Sequence, residues 1–495
     1  MENTFIKPQL PQIEDVIELS TLDQQAQRHY AKFLLFFNLG HNGPHDPVIR
    51  HLKQGLSAAL SELPDFASSI SPDPASCRKE LQLLLGPASG VPWRDVDHTA
   101  QDGRWLFGSY QDLAGDKFAM NGISLELLVH PAASIVSADT VSLAAFLVQA
   151  NLIRGGLILS VSWHHTVADA HGLNLLMRSW ANHTKNSIIK GRPDNPPGPT
   201  STAQERWRLQ IGQCGPHNDT IVKILSNYVT KATVRAPATH LHTHLVDRQE
   251  NITTRFQIST WYLARKSLQS LREDIGNATE GSGGIFTAVE CVSALTWRCI
   301  SRARHLHVTD EHGTSLFTTR IDFRQHLNPP LSDGFVGNAC EPNAGVRLPV
   351  SSICSSGPPS DLALAIRAAT QGIESTAVHG FIGYINTLPA VTDLTWNYSL
   401  FPGPDLGLTD ISGMDVLRTD WGIGLGFPDA ARLAARENGL VYLLPIDSEG
   451  GFEVQIQCEP EAFDRLREDN EFTRYATLKC VAESGVGAGL HQSPV

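Results

Sequence analysis

Leu157-Ile-Leu-Ser-Val-Ser-Trp-His-His-Thr-Val-Ala-Asp-Ala-His-Gly-Leu-Asn-Leu-Leu-Met-Arg-Ser-Trp180 is the stretch from which the rest of the chain is read. Its first part, Leu157 to Trp163, is a short apolar run with β-branched members, preceded by Gly155-Gly156, and it predicts a buried strand. From His171 onward, Leu173, Leu176, Met177 and Trp180 follow the i, i+3, i+4, i+7 stripe of an amphipathic helix. The turn between strand and helix therefore presents His164, His165 and Asp169 at the end of a sheet. A catalytic base is useful there, because an imidazole with an ordinary pKa near 6.5 is a free base at neutral pH. Strand alternation turns His164 away from His165, toward a packing role.

Working outward, Leu440–Leu444 and Phe452–Ile456 predict paired strands around Ser448–Gly451, and Ala363–Glu374 and Phe463–Tyr475 predict helices. The sum is a mixed α/β chain of 495 residues, long enough for more than one compact unit. Four prolines within Arg192–Thr202 deny regular pairing and mark a boundary. Residues 1–190 are read as an N-terminal domain and 191–214 as a linker.

The chain carries 39 Lys plus Arg against 51 Asp plus Glu, a formal charge of −12 that disfavours a nucleic-acid partner. No run approaches the roughly 20 apolar residues of a membrane span, and the first ten residues lack a basic and an apolar region, so a cytoplasmic protein with no membrane partner is expected. The eight cysteines are widely spaced and read as reduced, small hydrophobes. His240, His242 and His244 would share one face of a strand, but no carboxylate or Cys stands at ligand spacing, and no metal is expected. Gly422, Gly424 and Gly426 do not have the G-x-G-x-x-G spacing, which sets aside a dinucleotide.

On spacing alone, H-x-x-x-D arises in many chains, and a structural His–Asp pair is the simpler reading. The surroundings add to it. With Val148-Gln-Ala-Asn151 and Gly155-Gly156 ahead of it, the segment resembles the H-x-x-x-D motif of the BAHD acyltransferase superfamily. Further blocks resemble that family in the same order: Thr287–Arg304, Asp322-Phe-Arg324 with Asn328–Leu331 and Gly334–Asn338, Asp420-Trp-Gly-Ile-Gly424, and Leu444-Pro445 with Gly450-Gly451. The resemblance runs from about Val148 to Tyr475 and is nearest to the fungal secondary-metabolite acetyltransferases that act on trichothecenes.

The resemblance implies an α/β, two-domain fold of the chloramphenicol-acetyltransferase type, with a tunnel between the domains. Residues 215–382 plus 411–490 would form the C-terminal domain, with about 383–410 crossing over to the first. It implies an acyl-CoA-dependent O-acyltransferase, expected as a monomer, that takes acetyl-CoA or another acyl-CoA as co-substrate and a small-molecule acceptor. No cofactor would be bound permanently. His165 would be the general base and Asp169, beside it in the motif, would set the turn by pairing with Arg324. Asp420 would support its loop through an arginine of the Arg302–Arg304 segment, and Ser412, Gly422 and Gly424 would lie against coenzyme A. Four positions depart from the family pattern: Ala170 replaces a Gly, Trp421 a Phe, Ile423 a Trp and Phe427 a Lys. Two alternatives stay open. His164-His165-x-x-x-Asp169 also fits a condensation-type enzyme fed by a carrier-protein thioester, and the pocket could serve cyclisation or binding without acyl transfer.

Overall fold

The computed structural model describes residues 2–40, 45–99, 105, 107–119, 125–134, 142–190, 202–212, 219–230, 256–278, 285–308, 313–422, 424–434 and 439–483. Most of the expected linker, the three histidines at 240, 242 and 244, and Ile423 lie outside them.

Two large sheets organise the chain. The first has six strands, and at its heart Gly156–His164 pairs antiparallel with Phe146–Ile153 on one side and Tyr30–Asn38 on the other. Every residue of Gly156–His164 is buried, as its near-continuous run of apolar and small side chains requires of a strand covered on both faces. The hairpin that leads into it closes at Gly155, whose φ of +85° a side chain would strain. Helix Ala170–Lys190 then folds back and packs on helix His45–Glu62, burying Leu173, Leu176, Met177 and Trp180 in the core of this sheet.

The second sheet has seven strands in mixed orientation. Leu440–Leu443 and Phe452–Cys458 pair antiparallel in it, with Val441 opposite Ile456. Helix Ala288–Ala303 covers it, capped by Thr287 and Glu290, and its Trp297 is a core residue whose indole donates to Ser315. Helices Ser360–Gln371 and Pro460–Glu468 occur close to where the sequence places them.

Strand membership differs from the expected boundaries in two places. Within 383–410, Leu394–Trp396 pairs with Tyr228–Thr230, and Leu406–Asp410 lies inside the second sheet. The segment that joins the first sheet is Ala430–Leu433, which pairs with Phe33–Phe36 of Tyr30–Asn38. Just before it, the Asp420 turn reverses the chain, with positive φ at Gly422 and Gly424.

Candidate active site

A cavity of about 650 Å³ opens between the two sheets, and His165 lines it. The backbone explains why. His164 is the last residue of its strand, so His165 stands on the first turn beyond the sheet edge. Its N–H donates to the carbonyl of His29 (3.1 Å), and its own carbonyl accepts from the Asn338 side chain (2.9 Å). Neither ring nitrogen of His165 has a hydrogen-bond partner among the described residues, while the ring meets His29 edge-on at 5.6 Å and Trp163 at 5.8 Å. Burial holds its pKa well below the ordinary histidine value, and the positive potentials of His29 and Arg320 push it the same way. The ring is therefore a neutral base across the neutral pH range.

His164 points the opposite way. It is fully buried edge-on against Tyr30 at 5.3 Å, and burial lowers its pKa to about 3.

Asp169 turns away from the base. Its carboxylate accepts both ends of the Arg324 fork (2.9 and 3.0 Å), the Ala339 N–H (2.9 Å), and the N–H groups of His171 and Gly172 (3.1 Å each). It is thus both the ionic partner of a buried arginine and the cap of helix Ala170–Lys190. Arg324 also donates to Asp322 and to the carbonyls of Phe335 and Gly337. Gly172 permits this docking, since a Cβ there would fall 2.1 Å from the Val336 carbonyl oxygen.

A second buried network reaches His165 from the other side. Arg206 bridges Asp23 and Asp65, and Asp23 accepts from the backbone (2.7 Å) and side chain (2.9 Å) of Asn338. Asn338 then holds the His165 carbonyl. Asn338 was legible as part of Gly334–Asn338, whereas Asp23, Arg206 and His29 carry no local pattern that could have flagged them.

Asp420 requires a correction. Its partners are Lys185 Nζ (2.8 Å), on helix Ala170–Lys190, and the Gly422 N–H (2.9 Å). Arg302 and Arg304 instead pair with Glu471 and Glu459. The Lys185 ammonium holds the Asp420 carboxyl below its usual range, yet both side chains are a third or more exposed. Among the described residues lining the cavity, Ser412, Gly422 and Gly424 do not appear. Ser412 lies between Ile411 and Gly413, which do, and its N–H bonds Asp410. Gly422 packs on Lys185 and Ile188, and Gly424 faces Val48.

Among the described residues no group of three or more His, Cys, Asp or Glu could hold a metal, and no helix is long and apolar enough to cross a membrane. Burial raises the thiol pKa of Cys340, which lines the cavity, and that of Cys291 to about 12.

Comparison with known proteins agrees with this architecture. The chain is 44% identical over 482 residues to the acyltransferase easC of Emericella nidulans, covering 97% of this chain and 98% of that one. It is also 44% identical over 490 residues to the acyltransferase cm3D of Cordyceps militaris, covering 97% and 100%. The crystal structure of TRI101 from F. graminearum, complexed with coenzyme A and T-2 mycotoxin, shares the fold with a TM-score of 0.74 at 18% identity, over 94% of this chain and 100% of that one. A trichothecene 3-O-acetyltransferase-like N-terminal domain matches residues 29–183, and the Transferase family matches residues 112–472. The chain belongs to that family, the BAHD-type acyltransferases, and is an acyltransferase.

Proposed function

We propose that this enzyme transfers an acyl group, acetyl in the simplest case, from coenzyme A to a hydroxyl of a medium-sized secondary metabolite, with His165 as general base. The observation that carries the reading is the neutral His165 ring, set on a cavity wall with neither nitrogen partnered among the described residues. In the reaction the acceptor oxygen attacks the thioester carbonyl carbon while its proton passes to His165. The tetrahedral intermediate then collapses, the C–S bond breaks, and the proton is returned to the coenzyme A thiolate. Asp169 supports the step through geometry alone, because its oxygens are committed to Arg324 and three backbone N–H groups. Ser412 is suited to meet the pantetheine arm beside the lining residues Ile411 and Gly413. The relatives' names and the coenzyme A complexes of TRI101 support the donor.

Direct transfer is favoured over an acyl-enzyme because the Cys340 thiol on the cavity wall is held protonated by burial. A carrier-protein thioester as donor is the second reading, favoured by the His164-His165 pair ahead of Asp169. The test is a screen of hydroxylated metabolites with free acetyl-CoA and, in parallel, with an acetylated carrier protein, read by mass spectrometry. Product from free acetyl-CoA that disappears in His165→Ala is the expected result. Product from the carrier thioester alone would replace coenzyme A as donor. Full activity in His165→Ala would remove the base.

A further inference from the structure

The interior arginines of this protein have one habit, and Arg320 breaks it. Arg206 spends its terminal nitrogens on Asp23 and Asp65, Arg324 on Asp169 and two carbonyls, and Arg432 on Glu453 and two carbonyls. Arg298 likewise closes its fork on Glu471, Gly357 and Pro358. Arg320 follows the strand Thr314–Thr319 and lines the cavity. Its Nε donates to Glu341 over a long 3.4 Å, and its flat face rests on Trp396, with Cζ 4.7 Å from the ring centroid. Its two terminal nitrogens have no partner among the described residues and are not sealed from the cavity. A guanidinium seated on an aromatic ring with its fork open is a preorganised receptor for a planar anion.

The surroundings strengthen the case. Glu341 is shared, since the Tyr228 hydroxyl also donates to it at 2.5 Å, so Arg320 does not hold its counter-charge alone. Lys32, half-buried on Tyr30–Asn38, also lines the cavity; burial lowers its pKa, and Glu126 acts on it in the opposite sense. Both cations act on His29, whose pKa burial has already lowered and which falls to about 4. His29 in turn touches the ring of His165. The acids on the same wall are answered from within the protein: Asp169 and Asp322 by Arg324, and Glu290 by Arg367. Asp410 accepts from Ser412, and burial raises its carboxyl pKa. What remains on the wall is the unmet hydrogen-bonding capacity of the Arg320 fork, whose charge is felt at both His29 and His165.

We propose that Arg320, seated on Trp396 and assisted by Lys32, forms a carboxylate-binding subsite that anchors the acyl acceptor on the cavity wall that also carries His165. The proposal rests on the acyl-transfer reading and narrows its acceptor class to hydroxylated carboxylic acids. A carboxylate on the acyl group would satisfy the same chemistry, so the experiment has two arms. In the first, 3-hydroxybenzoate and 3-hydroxybenzamide, which differ only in charge and its fork geometry, are titrated calorimetrically against the full-length enzyme. In the second, malonyl-CoA is compared with acetyl-CoA. Wild type is expected to bind the benzoate at least about 10-fold more tightly than the amide, as hydrogen bonds to a charged group imply. Arg320→Gln should erase that ratio and Arg320→Lys should keep only part of it. Because Arg320→Gln leaves Glu341 buried without its cation, the double variant Arg320→Gln/Glu341→Gln repeats the measurement without that burden. A merely structural Arg320 would lower melting temperature without changing the ratio, and that result overturns the subsite. Equal affinities in wild type for both members of each pair overturn it as well. A preference for malonyl-CoA alone would keep the subsite and move the carboxylate to the acyl group. Binding of acetyl-CoA by wild type keeps these outcomes separate from failure of the acyl-transfer reading, in which acetyl-CoA would neither bind nor react.

Discussion

Replacing Asp169 with Asn changes one atom and should unsettle the region that carries the base. The carboxylate accepts five hydrogen bonds, two from the Arg324 fork and three from backbone N–H groups. An amide offers one acceptor oxygen and places an N–H2 where the other oxygen faced donors. If its oxygen stays on His171 and Gly172, as Asn does well in a helix cap, the NH2 confronts Arg324 Nη1 and the Ala339 N–H. Arg324 keeps Asp322 at 3.1 Å, but that carboxylate is half exposed and replaces little of the lost charge. Removing one partner from a buried pair costs about 3–5 kcal/mol. In a chain of 495 residues that should lower the melting temperature by about 3–5 °C, taking roughly 1 °C per kcal/mol from the per-residue unfolding entropy. Differential scanning fluorimetry reads the shift, and the cycle with Arg324→Gln isolates the pair. The double variant should lose less than the sum of the single losses, by more than about 1 kcal/mol. Additivity within about 0.5 kcal/mol, or an Asp169→Asn melting temperature equal to wild type, would show that the bond does not hold the turn.

Four further outcomes follow from the same geometry. His165→Ala should lower kcat/KM by about 10²–10⁴-fold with an unchanged melting temperature, since the ring makes no hydrogen bond to the described protein. The pH profile of kcat/KM should be flat through neutrality: the active form is deprotonated, and burial places the acid limb well below 6.5, so a midpoint at or above 6.5 would contradict the environment of His165. His164, with a pKa lowered to about 3, takes up its proton more readily in the unfolded chain, so stability falls as pH drops below 6.5. His164 should contribute about 2 kcal/mol of the stability lost between pH 7 and 5, with the lowered His29 and His165 adding to the total, and in urea unfolding His164→Gln should lose about that much less than wild type. Asp420→Asn should cost no more than about 1 kcal/mol in the same assay, because its pairing with Lys185 is substantially exposed.

How much of this could be read from the residues alone depends on the range of the signal. The strand Gly156–His164 and the helix Ala170–Lys190 were legible because one is apolar without interruption and the other carries a clean apolar stripe. The pairing of Leu440–Leu443 with Phe452–Cys458 was legible because a Gly-containing turn joins the two strands, though their register was not. Ala430–Leu433 gave no such signal. It is four residues long and finds its partner, Phe33–Phe36, across nearly the whole chain, so nothing local distinguishes it from any other short apolar run. Asp420 failed for a related reason. Its charge calls for a cation, but Lys185, on the helix it packs against, is indistinguishable in sequence from a cation on any other helix. Arg320 stood two positions from Asp322 in a quoted motif and was still missed, because what marks it is an unmet hydrogen-bonding capacity that only the folded surroundings reveal.

The positions that fix His165 come from four separate parts of the chain, and this has a mechanistic consequence. His29 holds its N–H, Asn338 holds its carbonyl, and Asp169 and Arg324 clamp the turn that follows. Asn338 is itself held by Asp23, which Arg206 ties to Asp65. His165 is therefore oriented through its backbone, while its ring nitrogens have no hydrogen-bond partner among the described residues. An imidazole held by a side-chain bond would have to break that bond to accept a proton, whereas one held by its peptide groups need not. The cost of this arrangement falls on the network: Asp23, Asp169 and Arg206 are buried charges that tolerate no loss of a partner, and that explains why so many of the groups around the base are ionic although His165 alone is proposed to move a proton.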